Sequence, residues 1–106
     1  MFEALCALIR EWDGDWERLK AAAMLLGLGD EDGSGDIEWV SYRNQEGQDV
    51  YLFRIRRGCV VQIRNNPRGI SINWTRVYDF LEKSRGRRFL EIEENGSRLL
   101  ACNRPV

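Results

Sequence analysis

The sequence predicts an α+β domain. It has two N-terminal helices, a mostly antiparallel sheet of about four to six strands, and one further helix before a C-terminal β-hairpin. Three observations carry this. Apolar residues recur at helical spacing up to residue 28 and at alternate positions from residue 37. Turn signals punctuate the alternating part at short intervals. One helical pattern, about 75–85, interrupts the strands. The chain of 106 residues fits a single domain, 1–106, built of a helical front (1–28), an acidic loop (29–36) and a sheet region (37–106).

Element by element, Phe2, Leu5, Cys6, Leu8 and Ile9 give a first helix over 2–11. Asp13-Gly14-Asp15 breaks it, and either aspartate can cap a second helix, about 16–27, that Gly27 and Gly29 end. Strands follow at Ile37–Tyr42, Val50–Arg56 and Cys59–Arg64. A three-residue turn Arg56-Arg57-Gly58, with Gly58 left-handed, pairs Ile55 with Cys59, Phe53 with Val61 and Tyr51 with Ile63. These six residues then form the core face. Leu52, Arg54, Val60, Gln62 and Arg64 take the other side. Asn65-Asn66-Pro67-Arg68-Gly69 is a turn, and Ile70-Ser71-Ile72 a short fourth strand. Asn73 or Thr75 caps the third helix, with Trp74, Val77, Phe80 and Leu81 inward. Phe89–Glu93 and Arg98–Cys102, joined by an Asn95-Gly96 turn, form the last hairpin.

Charge is segregated along the chain. Residues 1–53 sum to −8, residues 54–88 to +8 and residues 89–106 to −1, although the whole chain is only −1. Such separation points to two unlike surfaces, or to two halves that neutralise each other on folding. There is no histidine. That excludes Ser-His-Asp and Cys-His catalysis, His-ligated zinc and histidine pH switches. Cys6, Cys59 and Cys102 are far apart and form no CxxC, so they read as small core hydrophobes with reduced thiols. Their use, and the charges that interrupt the N-terminus, lead us to expect a cytoplasmic protein without a signal peptide or a membrane partner.

Asp30-Glu31-Asp32-Gly33-Ser34-Gly35-Asp36-Ile37-Glu38 follows the start of an EF-hand loop. Ser41 stands where the bidentate glutamate belongs, and the exit segment reads as strand, so the segment is expected to be an acidic helix-to-strand loop. No metal or cofactor is expected. The acid pairs Asp36/Glu38 and Glu91/Glu93 have the spacing of metal-dependent nucleases, but no lysine follows at the required offset. No catalytic residue is assigned.

The expected function is non-enzymatic nucleic-acid binding through an Arg-rich sheet face and turn. Arg54, Arg56, Arg57, Arg64, Arg68, Arg85, Arg87 and Arg88 would contact phosphate. Tyr42, Tyr51, Trp74 and Tyr78 are candidates for base stacking. Gly69-Ile70-Ser71-Ile72 leading into Trp74–Leu81 resembles the single-strand-binding transcriptional coactivators over about residues 43–84. The resemblance implies single-stranded nucleic acid as ligand. The first two helices and the last hairpin have no counterpart there.

An alternative of another class is a protein-binding inhibitor or adaptor, of the anti-CRISPR-like kind that phages and mobile elements encode. Its acidic segment would occupy a basic groove of a partner protein. Trp12, Asp13, Asp15, Trp16, Asp30, Glu31, Asp32, Asp36 and Trp39 would make that contact. Opposite poles on one chain also allow a homo-oligomer held by charge.

Overall fold

The structure is a computed structural model that describes residues 2–34, 37–43, 48–56, 58–67, 74–94 and 96–104. Helix α1 spans Phe2–Arg10 and α2 spans Trp16–Leu25. Strands β1 (Asp30–Ser34), β2 (Ile37–Arg43), β3 (Gln48–Arg56) and β4 (Cys59–Pro67) follow, then α3 (Trp74–Lys83), β5 (Phe89–Glu94) and β6 (Ser97–Asn103). The six strands form one antiparallel sheet in the order β1-β2-β3-β4-β6-β5. This is the α+β architecture expected, with the third helix ahead of the C-terminal hairpin.

Local chemistry accounts for the boundaries. Asp15 caps α2: its carboxylate accepts from the backbone N–H groups of Glu17 and Arg18. At the other end Gly27 takes φ 110°, which lets Leu28 N–H reach back to the Ala23 carbonyl at 3.2 Å. Gly58 at φ 74° turns β3 into β4. Tyr51 lies opposite Ile63 and Phe53 opposite Val61, as the patterning required. Ile55 does not pair with Cys59. The register shifts between Arg54 and Arg56, so Arg56 faces Cys59 and Ile55 is the extra residue of a bulge.

Two expectations are corrected. The segment 29–36 is not simply a loop: Asp30–Ser34 is edge strand β1, with Asp30 opposite Ser41 and Ser34 opposite Ile37. Backbone pairing to β2 overrides the poor strand propensity of Asp-Glu-Asp-Gly-Ser. The residues with EF-hand spacing are therefore strung along a hairpin rather than wound around a point. Asp36 lies outside the described residues, as do Ile70–Ile72, expected to form a strand.

The second correction concerns the sheet faces. Both are covered. Phe53, Val61, Ile63, Leu99 and Ala101 pack under α3 with Val77, Phe80 and Leu81. On the other face Leu52, Val60, Leu100 and Cys102 pack under α1 and α2, against Leu5, Ile9, Leu19 and Ala23. Leu52, Val60 and Gln62 are fully buried there, where the alternation alone predicts an open side. The adjacent pairs Leu52-Phe53 and Val60-Val61 were the signal, because consecutive apolar residues mark a strand buried on both sides. Among the described residues, no helix is long and apolar enough to cross a membrane.

Candidate nucleic-acid interface

The sheet topology gathers distant segments at one end. Cys59 stands opposite Asn103, and Cys102 opposite Phe89, so the β3–β4 turn, the end of β6 and the start of β5 lie side by side. Backbone bonds close this corner: Arg104 N–H donates to the Gly58 carbonyl at 2.7 Å, and Asn103 N–H to the Arg88 carbonyl at 2.9 Å. The Asn103 amide donates to the carbonyls of Ser84 (3.2 Å) and Arg87 (3.0 Å), which pins the segment leaving α3. The end of α1 reaches the same corner, because the Arg104 guanidinium donates to the Arg10 carbonyl.

Three guanidinium groups converge on the Phe89 ring. Arg88 lies 5.4 Å from its centroid, Arg10 5.7 Å and Arg104 5.9 Å. Groups this close to one point are at most about 12 Å apart, and a like-charge pair roughly 8 Å apart repels by about 0.5 kcal/mol in water and about 2 kcal/mol near a protein surface. Each cation–π contact returns about 0.5–1 kcal/mol. The negative ends of the α1 and α3 dipoles add a little more. Arg85, Arg87 and Arg88 are exposed. Arg85 pairs with Glu82 at 3.0 Å and Arg10 lies 3.8 Å from Glu91. Among the described residues, no carboxylate lies within 4.0 Å of Arg87, Arg88 or Arg104. The corner is an electropositive focus with Arg87 and Arg88 exposed, while Arg104 is half-buried with its Nε withdrawn from solvent.

Of the eight arginines expected at the interface, Arg85, Arg87 and Arg88 lie here. Arg56 ends β3 at the same end of the sheet, but its side chain lies outside the described residues, as do all of Arg57 and Arg68. Arg64 stands opposite Arg98, five residues along β4 from Cys59, so its backbone is roughly 17 Å away toward the other end. Its side chain too is undescribed. Arg54 is corrected. It lies on the face under α2, with its side chain 22% exposed, and donates to Glu38 Oε1 at 3.2 Å. Glu38 Oε2 accepts the Trp16 indole N–H at 2.7 Å. These bonds, the indole first, hold the Glu38 carboxyl below its ordinary value. Arg54 is thus paired within the fold, beneath α2, and not presented on an open sheet face. Arg10 and Arg104, which no charge run in the sequence singles out, lie beside Arg88 around the Phe89 ring.

The acidic candidates fall elsewhere. Trp12 and Trp16 are buried under α1 and α2, with Trp12 donating to the Asp15 carbonyl at 2.8 Å, so neither ring is available as a surface anchor. Asp13 accepts from Asp15 N–H and pairs with Arg18 at 3.1 Å; the first of these chiefly lowers its carboxyl pKa. Glu31 is bound to Lys20 at 2.8 Å. Asp32 is exposed on β1 and bonds Gly33 N–H at 2.8 Å, while Asp30 is placed by its backbone alone. Trp39 is half-buried among Phe53 (6.0 Å) and Trp74 (6.4 Å) on the α3 face. Tyr51 stacks on Phe53 at 5.6 Å and Tyr78 lies 6.3 Å from Trp74, so three of the stacking candidates share that face. Tyr42 and Phe89 pack on the α1–α2 side. Edge strands β1 and β5 are five strand spacings apart, about 24 Å, which separates the acidic edge from the arginine cluster.

Burial raises the Cys6 and Cys102 thiols above their ordinary range, which keeps both protonated. Comparison with protein-family models, curated proteins and solved structures returned no match.

Proposed function

We propose that this chain is a small nucleic-acid-binding domain that grips phosphate with the arginine corner around Phe89, and that it binds rather than catalyses. The observation that supports this reading is the convergence of Arg10, Arg88 and Arg104 on one ring. Like charges are held together there with few internal anions, and backbone phosphate supplies the missing negative charge. Arg87, Arg88 and Arg104 have no carboxylate partner among the described residues, so about three phosphates are engaged. The acidic edge β1 faces away and limits the ways a polyanion can approach.

Binding of this kind is driven by counterion release. On duplex DNA three contacts give a slope of about −2.7 in log affinity against log salt, or about a 40-fold loss between 50 and 200 mM; on a single strand the slope is about −2.1 and the loss about 20-fold. Fluorescence anisotropy with labelled single-stranded DNA, duplex DNA and RNA tests this. Salt-dependent binding that disappears in an Arg87→Glu/Arg88→Glu variant supports the reading. Absence of binding at low salt, or equal binding by that variant, overturns it.

A second reading, the protein-binding inhibitor, draws on one observation: β1 is an edge strand with Glu31 and Asp32 exposed. With Trp12 and Trp16 buried, two of its three aromatic anchors are withdrawn, and Trp39 is half-buried. The same carboxylates also serve to keep foreign strands from pairing with the edge.

A further inference from the structure

The three arginines around Phe89 are not equally free. Glu91 stands two residues beyond Phe89 on β5, on the same face of the strand. Its Oε2 lies 3.8 Å from Arg10 Nη2, and its Oε1 accepts a short hydrogen bond from Arg98 Nη2. Arg98 Nη1 also lies 3.8 Å from Glu3 Oε1, which ties the base of α1 into the same chain of charges. The carboxylate is thus anchored by Arg98 and reaches Arg10 only across a gap longer than a hydrogen bond. Its side chain is 32% exposed, so an incoming anion can compete with it.

Resting on the nucleic-acid reading above, we propose that Glu91 is a built-in competitor for phosphate: it masks Arg10 in the free protein and limits the site to Arg87, Arg88 and Arg104. A phosphate that reaches the ring displaces the weak Arg10 contact and leaves the Arg98 bond in place. The carboxylate then sets both affinity and salt response. It makes binding looser and less salt-steep than the arginines alone would give, which favours release and re-binding along a polyanion.

The test is Glu91→Gln, which keeps the size and the Arg98 hydrogen bond while removing the charge. Binding of a labelled single-stranded oligonucleotide is followed by anisotropy from about 50 to about 200 mM salt. The expected result is a slope steeper by about 0.7, the increment for one more phosphate contact on a single strand, and affinity at low salt raised by about 3- to 10-fold. Two comparisons separate this from a general change in charge. Glu11→Gln removes a carboxylate next to Arg10 in the chain that pairs with no arginine among the described residues, and leaves the slope unchanged. In an Arg10→Ala background Glu91→Gln gives no gain. A thermal melt of each variant confirms folding. If the parent protein binds and Glu91→Gln alters nothing, the competitor idea falls and the function stands. A gain equalled by Glu11→Gln, or retained without Arg10, also overturns it. If the parent fails to bind and Glu91→Gln binds, the competitor idea is supported and the function of the unmodified chain is overturned. Binding by neither protein overturns both.

Discussion

Replacing Glu38 with alanine is expected to cost about 2–3 kcal/mol of stability, because one carboxylate serves three elements. It accepts the Trp16 indole N–H at 2.7 Å and the Arg54 guanidinium at 3.2 Å, which ties α2 to β2 and β3. Trp16 is 8% exposed, so its N–H would be left largely buried without an acceptor, a loss of about 1–3 kcal/mol. Arg54, partly buried, loses a charge-assisted bond worth about 0.5–1 kcal/mol at this exposure. Lys20 loses almost nothing, since Glu31 at 2.8 Å and Glu17 at 3.2 Å remain. The total is a large part of the roughly 5–15 kcal/mol that holds a domain together. It lowers Tm by about 10–20 °C for a chain of this size. Urea denaturation at neutral pH should show a lower midpoint at constant m-value. A companion Trp16→Phe keeps the ring and removes only the N–H, and should be coupled to Glu38→Ala by about 1 kcal/mol in a double-mutant cycle. Because the Glu38 carboxyl is held below its ordinary value of 4.5, its contribution is complete above that pH. It fades as pH falls through the lowered pKa of the folded form, so parent and variant converge only in acid below that point. A loss under about 0.5 kcal/mol, with no coupling to Trp16, would refute the reasoning and return Arg54 to the set of free surface charges.

The other expectations are smaller in scope. Arg54→Met should lower stability yet leave the affinity for polynucleotide and its salt slope unchanged in anisotropy; a slope reduced by about 1 would mean that Arg54 does touch phosphate. Gln62 is fully buried under α1, its Oε1 accepting from Cys6 Sγ at 3.6 Å and its Nε2 lacking a partner among the described residues. Gln62→Leu should therefore raise stability by about 1–2 kcal/mol, and a calorimetric Tm that falls would contradict this. Asp15→Ala removes the α2 cap and should cost about 1 kcal/mol by chemical denaturation. Cys6 and Cys102 are buried with raised thiol pKa values. A thiol reagent at neutral pH should react with them only as fast as the fold opens; rapid labelling of the folded protein would show that the α1 side of the core is loose.

Much of this fold could be read from local pattern. The Asp15 cap, the helical stripe of Leu19 and Ala23, and the opposition of Phe53 to Val61 each rest on near neighbours or on one turn. Strand β1 was hidden because nothing in Asp-Glu-Asp-Gly-Ser favours a strand; its partner β2 makes it one. The coverage of both sheet faces was hidden for a related reason. The helical front needs somewhere to bury its apolar stripe, and only the fold shows that Leu52, Val60 and Leu100 receive it. The site divides in the same way. Arg85, Arg87 and Arg88 stand together in sequence and together in space. Arg10 and Arg104 are 94 positions apart and meet only because α1 and β6 end at the same corner. Arg54 misled because charge says nothing about burial: its partner Glu38 lies 16 positions away, and Trp16, which shares that carboxylate, lies 22 positions from Glu38.

Whether the arginine corner is the working surface is tested most directly by an NMR titration. An oligonucleotide is added to labelled protein while backbone amide and arginine side-chain signals are followed. The largest shifts are expected on Arg10, Arg87, Arg88, Phe89 and Arg104, with Arg54 and Trp16 unmoved. Shifts centred on β1 or on the Trp39–Trp74–Tyr78 face, or no shifts at low salt, would contradict that assignment.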